Sequence, residues 1–119
     1  MEINISMDGD IVVMDLAGDL VASTAEQLKA QVEKLADKHF NRILLDMSGV
    51  NFMDSSGLGM CMAVHKMLLQ SGGLVVCARP SEAVAKIFRV TRADQKLRVI
   101  PDRGEGVRIL HASATGAPQ

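Results

Sequence analysis

RILLDMSGVNFMDSSGLGMCMAVHKMLLQSGGLVVCA, residues 42–78, is the stretch whose reading decides the fold. Ile43-Leu44-Leu45 is a short continuous apolar run, as expected for a strand covered on both faces. Asp46 to Asn51 then lead on to a turn at Asp54-Ser55-Ser56. From Ser56 to Ser71 the chain is apolar on most sides, and only His65, Lys66 and Gln70 mark an exposed stripe. Such a pattern predicts a largely buried helix. Gly72-Gly73 stops it, because glycine accepts the left-handed conformation past a helix end. Leu74 to Ala78 is the next apolar strand. Strand, packed helix and strand imply a parallel pair with a right-handed crossover. Sites in such sheets lie beyond the carboxyl ends of strands, and the Asp54-Ser55-Ser56 turn lies just past one.

The turn has its own chemistry. Serine is a favoured helix N-cap, since its oxygen accepts a free N–H of the first turn. The same end carries the positive pole of the helix dipole and accommodates added negative charge. By local chemistry alone the turn is a cap. Its place beyond a strand end adds a second reading: a serine here can hold a phosphate without unfolding its helix.

Outside this stretch, Ile3, Ile5 and Met7 alternate with polar residues, and Ile11 to Leu16 is strongly β-prone. The Asp8-Gly9 step between them is a hairpin signal. Gly18 to Ala22 reads as a loop. Ser23-Thr24-Ala25-Glu26 fits a capping box, with Thr24 and Gln27 repeating the pattern one residue on. Ala25, Leu28, Val32, Leu35 and Ala36 then follow at helical spacing to about Lys38. Ser81 caps a short helix with Val84, Ile87 and Phe88. Leu97 to Ile100 is a last strand. Asp102 with Glu105 starts a final helix through Leu110, which Gly104 and Gly106 weaken. Residues 1–111 form one domain, and small polar residues 112–119 form a disordered tail.

The totals exclude several classes. The chain has 119 residues, nearly half of them apolar, enough for one core. It has three Phe, no Trp, no Tyr and a formal charge of −1, so nucleic-acid binding lacks its footprint. No apolar run approaches the roughly 18 residues of a membrane span, and the N-terminus lacks a secretory signal. Cys61 and Cys77 read as buried free thiols of a reducing cytoplasm. Eight methionines are mainly adaptable core filler, with Met53 and Met60 kept as surfaces that accept a partner. There is no phosphate-binding loop and no nucleophile elbow, and His39, His65 and His111 lack metal-ligand spacing and read as surface residues. No catalytic residue, metal or cofactor is read from the sequence.

The chain resembles STAS domains, and among them the bacterial anti-sigma-factor antagonists. The resemblance rests on Arg42-Ile43-Leu44-Leu45-Asp46-Met47-Ser48-Gly49-Val50 followed by Asn51-Phe52-Met53-Asp54-Ser55-Ser56-Gly57-Leu58-Gly59. It extends to Gly72-Gly73-Leu74-Val75-Val76 and Val84-Ala85-Lys86-Ile87-Phe88, and is weaker at Gly18-Asp19-Leu20. It implies an α/β STAS fold: a mixed β-sheet with a βαβ core and helices largely on one side. It also implies a partner switch. The unphosphorylated antagonist binds an anti-sigma factor that is a serine kinase and so releases a sigma factor. The kinase phosphorylates the antagonist, the complex separates, and a PP2C-type phosphatase restores it. The phosphorylated residue of the family directly follows the Asp, here Ser55, with Ser56 second. The implied partner-binding residues are Asp19, Leu20, Met53, Asp54, Ser55, Ser56, Gly57, Leu58 and Met60. Three positions depart from the pattern. Val21 stands where a carboxylate is common, Arg92 where Gly is common, and Lys38-His39 in place of a Gly turn.

Two other readings compete. One is a non-enzymatic STAS subunit of another assembly, such as a lipid-transport complex or a response-regulator output pathway. The other is a small hydrolase or phosphotransferase using Asp54 or Ser55, disfavoured by the missing base and metal ligands.

Overall fold

Gly9 takes φ +61° and closes an antiparallel hairpin between β1 (Glu2–Asp8) and β2 (Ile11–Leu20). The computed structural model describes residues 1–115. Along it follow α1 (Ala22–Asp37), β3 (Arg42–Met53), α2 (Ser55–Gln70), β4 (Leu74–Ala78), α3 (Glu82–Val90), a 3-10 turn (Ala93–Gln95), β5 (Arg98–Ile100) and α4 (Arg103–Thr115). The five strands lie in chain order in one sheet. β1 is antiparallel to β2, and every later neighbour is parallel. This is the α/β, mixed sheet with a βαβ core expected from residues 42–78.

Both faces of the sheet are covered. Ile43, Leu45, Val75 and Cys77 point into a core shared with α1, α2 and α3, where Leu28, Val64, Leu68 and Phe88 are buried. Leu44, Val76 and Ala78 point the other way, onto Leu110 of α4. Burial on both sides explains why β3 and β4 read as continuous apolar runs. Three helices lie on one face and one on the other, so the helices are largely on one side, as expected.

Several boundaries differ from the sequence reading. β2 continues through the expected loop to Leu20, and β3 runs twelve residues, to Met53. The extensions pair with each other, Ala17 beside Gly49 and Leu20 beside Met53, with register shifts that absorb the polar and glycine positions. The cap expected from Ser23 and Glu26 is not the one used. α1 begins at Ala22, and Thr24 reaches back from its first turn. The Thr24 hydroxyl accepts from the Val21 N–H at 2.9 Å and donates to the Asp19 carbonyl at 2.6 Å. α4 continues to Thr115, so the tail expected from residue 112 is helical at its start, and 116–119 lie outside the described residues.

Two of the departures from the family pattern fall on left-handed backbone. His39 has φ +70° and Arg92 φ +63°. At each, a residue with a Cβ occupies a conformation that favours glycine.

Candidate functional site

β2 and β3 end side by side, with Asp19 next to Phe52 and Leu20 next to Met53. The chain turns at Asp54, whose backbone N–H donates to the Leu20 carbonyl at 3.2 Å. The N-cap of α2 is Asp54 and not a serine. Its carboxylate accepts from the backbone N–H groups of Ser56 (2.9 Å) and Gly57 (3.2 Å). Its carbonyl accepts the N–H of Leu58 at 3.0 Å. Ser55 is therefore the first helical residue. The N–H groups of the next three residues are already taken, two of them by a carboxylate.

The structure divides the predicted site residues into two sets. Asp19, Ser55 and Ser56 are exposed, and Asp54 and Leu58 are half-buried. These present themselves to solvent on one end of the domain. Leu20, Met53, Gly57 and Met60 are buried. The reading of Met53 and Met60 as partner-accepting surface is thus corrected: both belong to the core under α1 and α2. They, Leu20 and Gly57 shape the site from beneath, because their apolar area is already removed from water by the fold. Ser55 and Ser56 diverge. Ser56 lines a cavity of about 300 Å³ between α1 and α2, with Glu26, Lys29 and Gly59.

Phe52, which is not among the predicted site residues, is exposed next to the solvent-facing set. It leaves 51% of its surface in water beside Asp54. The available signal was its place one residue before Met53 on a strand, which sends the two side chains to opposite faces.

A charged cluster lies on the α4 face of the sheet. Asp46, 1% exposed, accepts from Arg103 at 2.8 Å and from the Ser48 N–H at 3.0 Å, with Arg79 at 3.7 Å. Arg103 also bridges to Asp15. Burial raises the Asp46 pKa, but Ser48, Arg103 and Arg79 outweigh it and hold the carboxyl below its ordinary value. Cys61 and Cys77 are free and buried, and their contact together with burial pushes the Cys61 thiol well up. His65, expected at the surface, is half-buried, and its Nδ1 is enclosed with no hydrogen-bond partner. No group of three His, Cys, Asp or Glu among the described residues is placed to hold a metal ion. No described helix is long and apolar enough to cross a membrane.

The family model of the STAS domain matches residues 2–106. The chain belongs to the STAS family. This STAS domain is similar to the anti-sigma-B factor antagonist of Listeria monocytogenes, 28% identical over 98 residues, covering 82% of this chain and 86% of that one. It is also similar to the anti-sigma F factor antagonist of Paenibacillus polymyxa, 29% identical over 79 residues, with 65% and 68% covered. Among solved structures it superposes on unphosphorylated SpoIIAA with a TM-score of 0.79, 22% identity, and 93% and 97% covered. It superposes likewise on part of the murine anion transporter Slc26a9, with a TM-score of 0.72 and 19% identity, over 90% of this chain and 18% of that one. Both structures establish the fold.

Proposed function

We propose that this STAS domain is an anti-sigma-factor antagonist switched by phosphorylation at Ser55. The unphosphorylated form binds an anti-sigma factor that is a serine kinase, and binding frees a sigma factor. Phosphorylation by that kinase ends the complex, and a PP2C-type phosphatase resets it. The observation that carries this reading is an exposed hydroxyl at the first position of α2, directly after a capping carboxylate. Its support is the names of the curated relatives, which are antagonists of anti-sigma factors.

The electrostatics fit a switch that leaves the fold intact. A phosphate adds about −1.5 to −2 charges at neutral pH. The helix dipole favours charge at this end. The Asp54 carboxylate, however, already occupies the Ser56 and Gly57 N–H groups. The new charge then stands beside an existing one with few free donors. A partner packed over Ser55 would bury that charge, at a cost of several kcal/mol. A loss of about 1.4 kcal/mol is already tenfold in affinity, so dissociation needs no rearrangement.

The test is a tagged pull-down from the source cells with wild-type, Ser55→Ala and Ser55→Asp chains, read by mass spectrometry. The expected result is an ATP-binding serine kinase retained by wild type and Ser55→Ala and lost by Ser55→Asp, with phosphate on Ser55 in the unbound pool. Equal retention by both variants rejects the switch. The likeness to part of Slc26a9 supports a second reading, a STAS subunit of another assembly. A transporter or receptor-linked partner with unmodified Ser55 would select it.

A further inference from the structure

Ser55, Leu58, Met62, His65 or Lys66, and Leu69 succeed one another at steps of three and four along α2, so they form one stripe of that helix. Two adjoining cavities of about 520 and 540 Å³ follow this stripe and share Met62 and Lys96, which makes them one groove. One wall is α2 from Leu58 to Gln70. Opposite Leu58 and Met62 the other wall is Thr91, Arg92, Ala93, Gln95 and Lys96 of the link between α3 and β5, and opposite His65 to Gln70 it is Lys96 alone. At 1.5 Å rise per residue the groove is about 18 Å long, three helical turns.

Its floor is apolar, with Leu58, Met62 and a half-exposed Leu69. Its fixed charges are Lys66, Arg92 and Lys96, while Asp94 of the same link lines a different cavity, with Arg79 and Arg89. Arg92 holds left-handed backbone that glycine would hold without strain, and so keeps a cation on this wall. The unpartnered His65 Nδ1 belongs to a residue of the same groove. α2 is bonded within itself as a helix, and Thr91, Arg92, Gln95 and Lys96 of the link donate their N–H groups to local turns, so an added strand finds no continuous ladder here.

We propose that this groove docks an acidic, amphipathic helix of a protein partner. Apolar anchors at i, i+3 or i+4, and i+7 would fill the floor, and flanking carboxylates would face Lys66, Arg92 and Lys96. The proposal rests on the reading of α2 as the partner-facing helix and adds the chemistry of what docks beside Ser55.

The test is titration of the ¹⁵N-labelled full chain with a covalently locked helical peptide of about 11 residues, three turns, carrying Leu at anchor spacing and Glu elsewhere. The control peptide has Lys for every Glu. The expected result is movement of the Leu58, Met62, His65 and Lys96 amides with the Glu peptide only. The affinity falls about tenfold or more in the Lys66→Glu/Lys96→Glu double variant, and it falls as salt rises. Lys66 and Lys96 are exposed, so the variant's amide spectrum checks that it folds. No movement, equal movement with both peptides, or no effect of the double variant overturns the proposal. So does movement of these amides when the free chain is concentrated, which assigns the groove to a second copy. Sedimentation with phosphatidylglycerol vesicles that the double variant abolishes, without peptide binding, assigns it to lipid. The titration uses neither kinase nor phosphate. A chain that docks the peptide but is never modified on Ser55 therefore keeps this proposal and loses the previous one.

Discussion

Gly57 lies so close to Leu20 that a Cβ at position 57 would stand 2.6 Å from the Leu20 carbonyl oxygen. This contact sets the first turn of α2 on the end of β2. It brings Ser55 and Asp19, thirty-six residues apart, to one end of the domain.

Gly57→Ala should therefore be overpacked, because Leu20 backbone and the buried Met53 side chain surround the new methyl. The expected loss is about 1–3 kcal/mol. Gly59 is the control: nothing lies within 4 Å of a Cβ there. Gly59→Ala should gain up to about 1 kcal/mol from helix propensity. Urea denaturation of both variants, at unchanged m, checks the pair.

Asp54→Ala removes the acceptor for the Ser56 and Gly57 N–H groups. The expected cost is about 1 kcal/mol, most of it restored in Asp54→Asn, since asparagine caps nearly as well. Thermal unfolding followed by circular dichroism measures it.

The Asp46 carboxyl is held below its ordinary value of 3.8 in the folded chain. A depressed folded pKa contributes stability above the unfolded value. That contribution is lost as pH falls through the folded value. Asp46→Asn should cost about 2 kcal/mol at neutral pH, because Arg103 and Arg79 lose a buried charged partner. Its stability should then fall less steeply than wild type from about pH 4 downward. Denaturant titrations across that window test the sign.

His39→Gly and Arg92→Gly place glycine where the backbone is left-handed. Each should gain about 1 kcal/mol. Arg92→Gly should also weaken docking of the acidic peptide, whereas His39→Gly, outside the groove, should not. A gain in stability with loss of binding would separate strain from function at Arg92.

Cys61 is buried, and its thiol is pushed well up by Cys77 and by burial. The thiolate is the reactive form. Both thiols should resist an aromatic disulfide reagent at neutral pH in the native chain and react promptly in denaturant. Fast native labelling would contradict the packing of α2 on β4.

Residues 42–78 determined the βαβ core by themselves, because the apolar spacing and the glycine stop are local signals that survive without tertiary context. The hairpin at Gly9 and the Ser81 cap were legible for the same reason, each set by one or two residues. The Asp54-Ser55 turn was legible as a strand-to-helix junction, since the apolar runs on either side mark a strand before it and a helix after it. Tertiary structure decided the rest. β3 reaches Met53 only because parallel pairing with Ala17–Leu20 supplies partners to residues that look like loop. Gly106 looked helix-breaking, yet it lets α4 lie on Leu44, where a Cβ would come within 2.8 Å. Met53 and Met60 looked available to a partner and are core, because which side of an element faces inward depends on what packs against it. The groove along α2 is likewise tertiary: its two walls are separated in sequence, and only the packing of the Thr91–Lys96 link beside α2 sets three cations around an apolar floor.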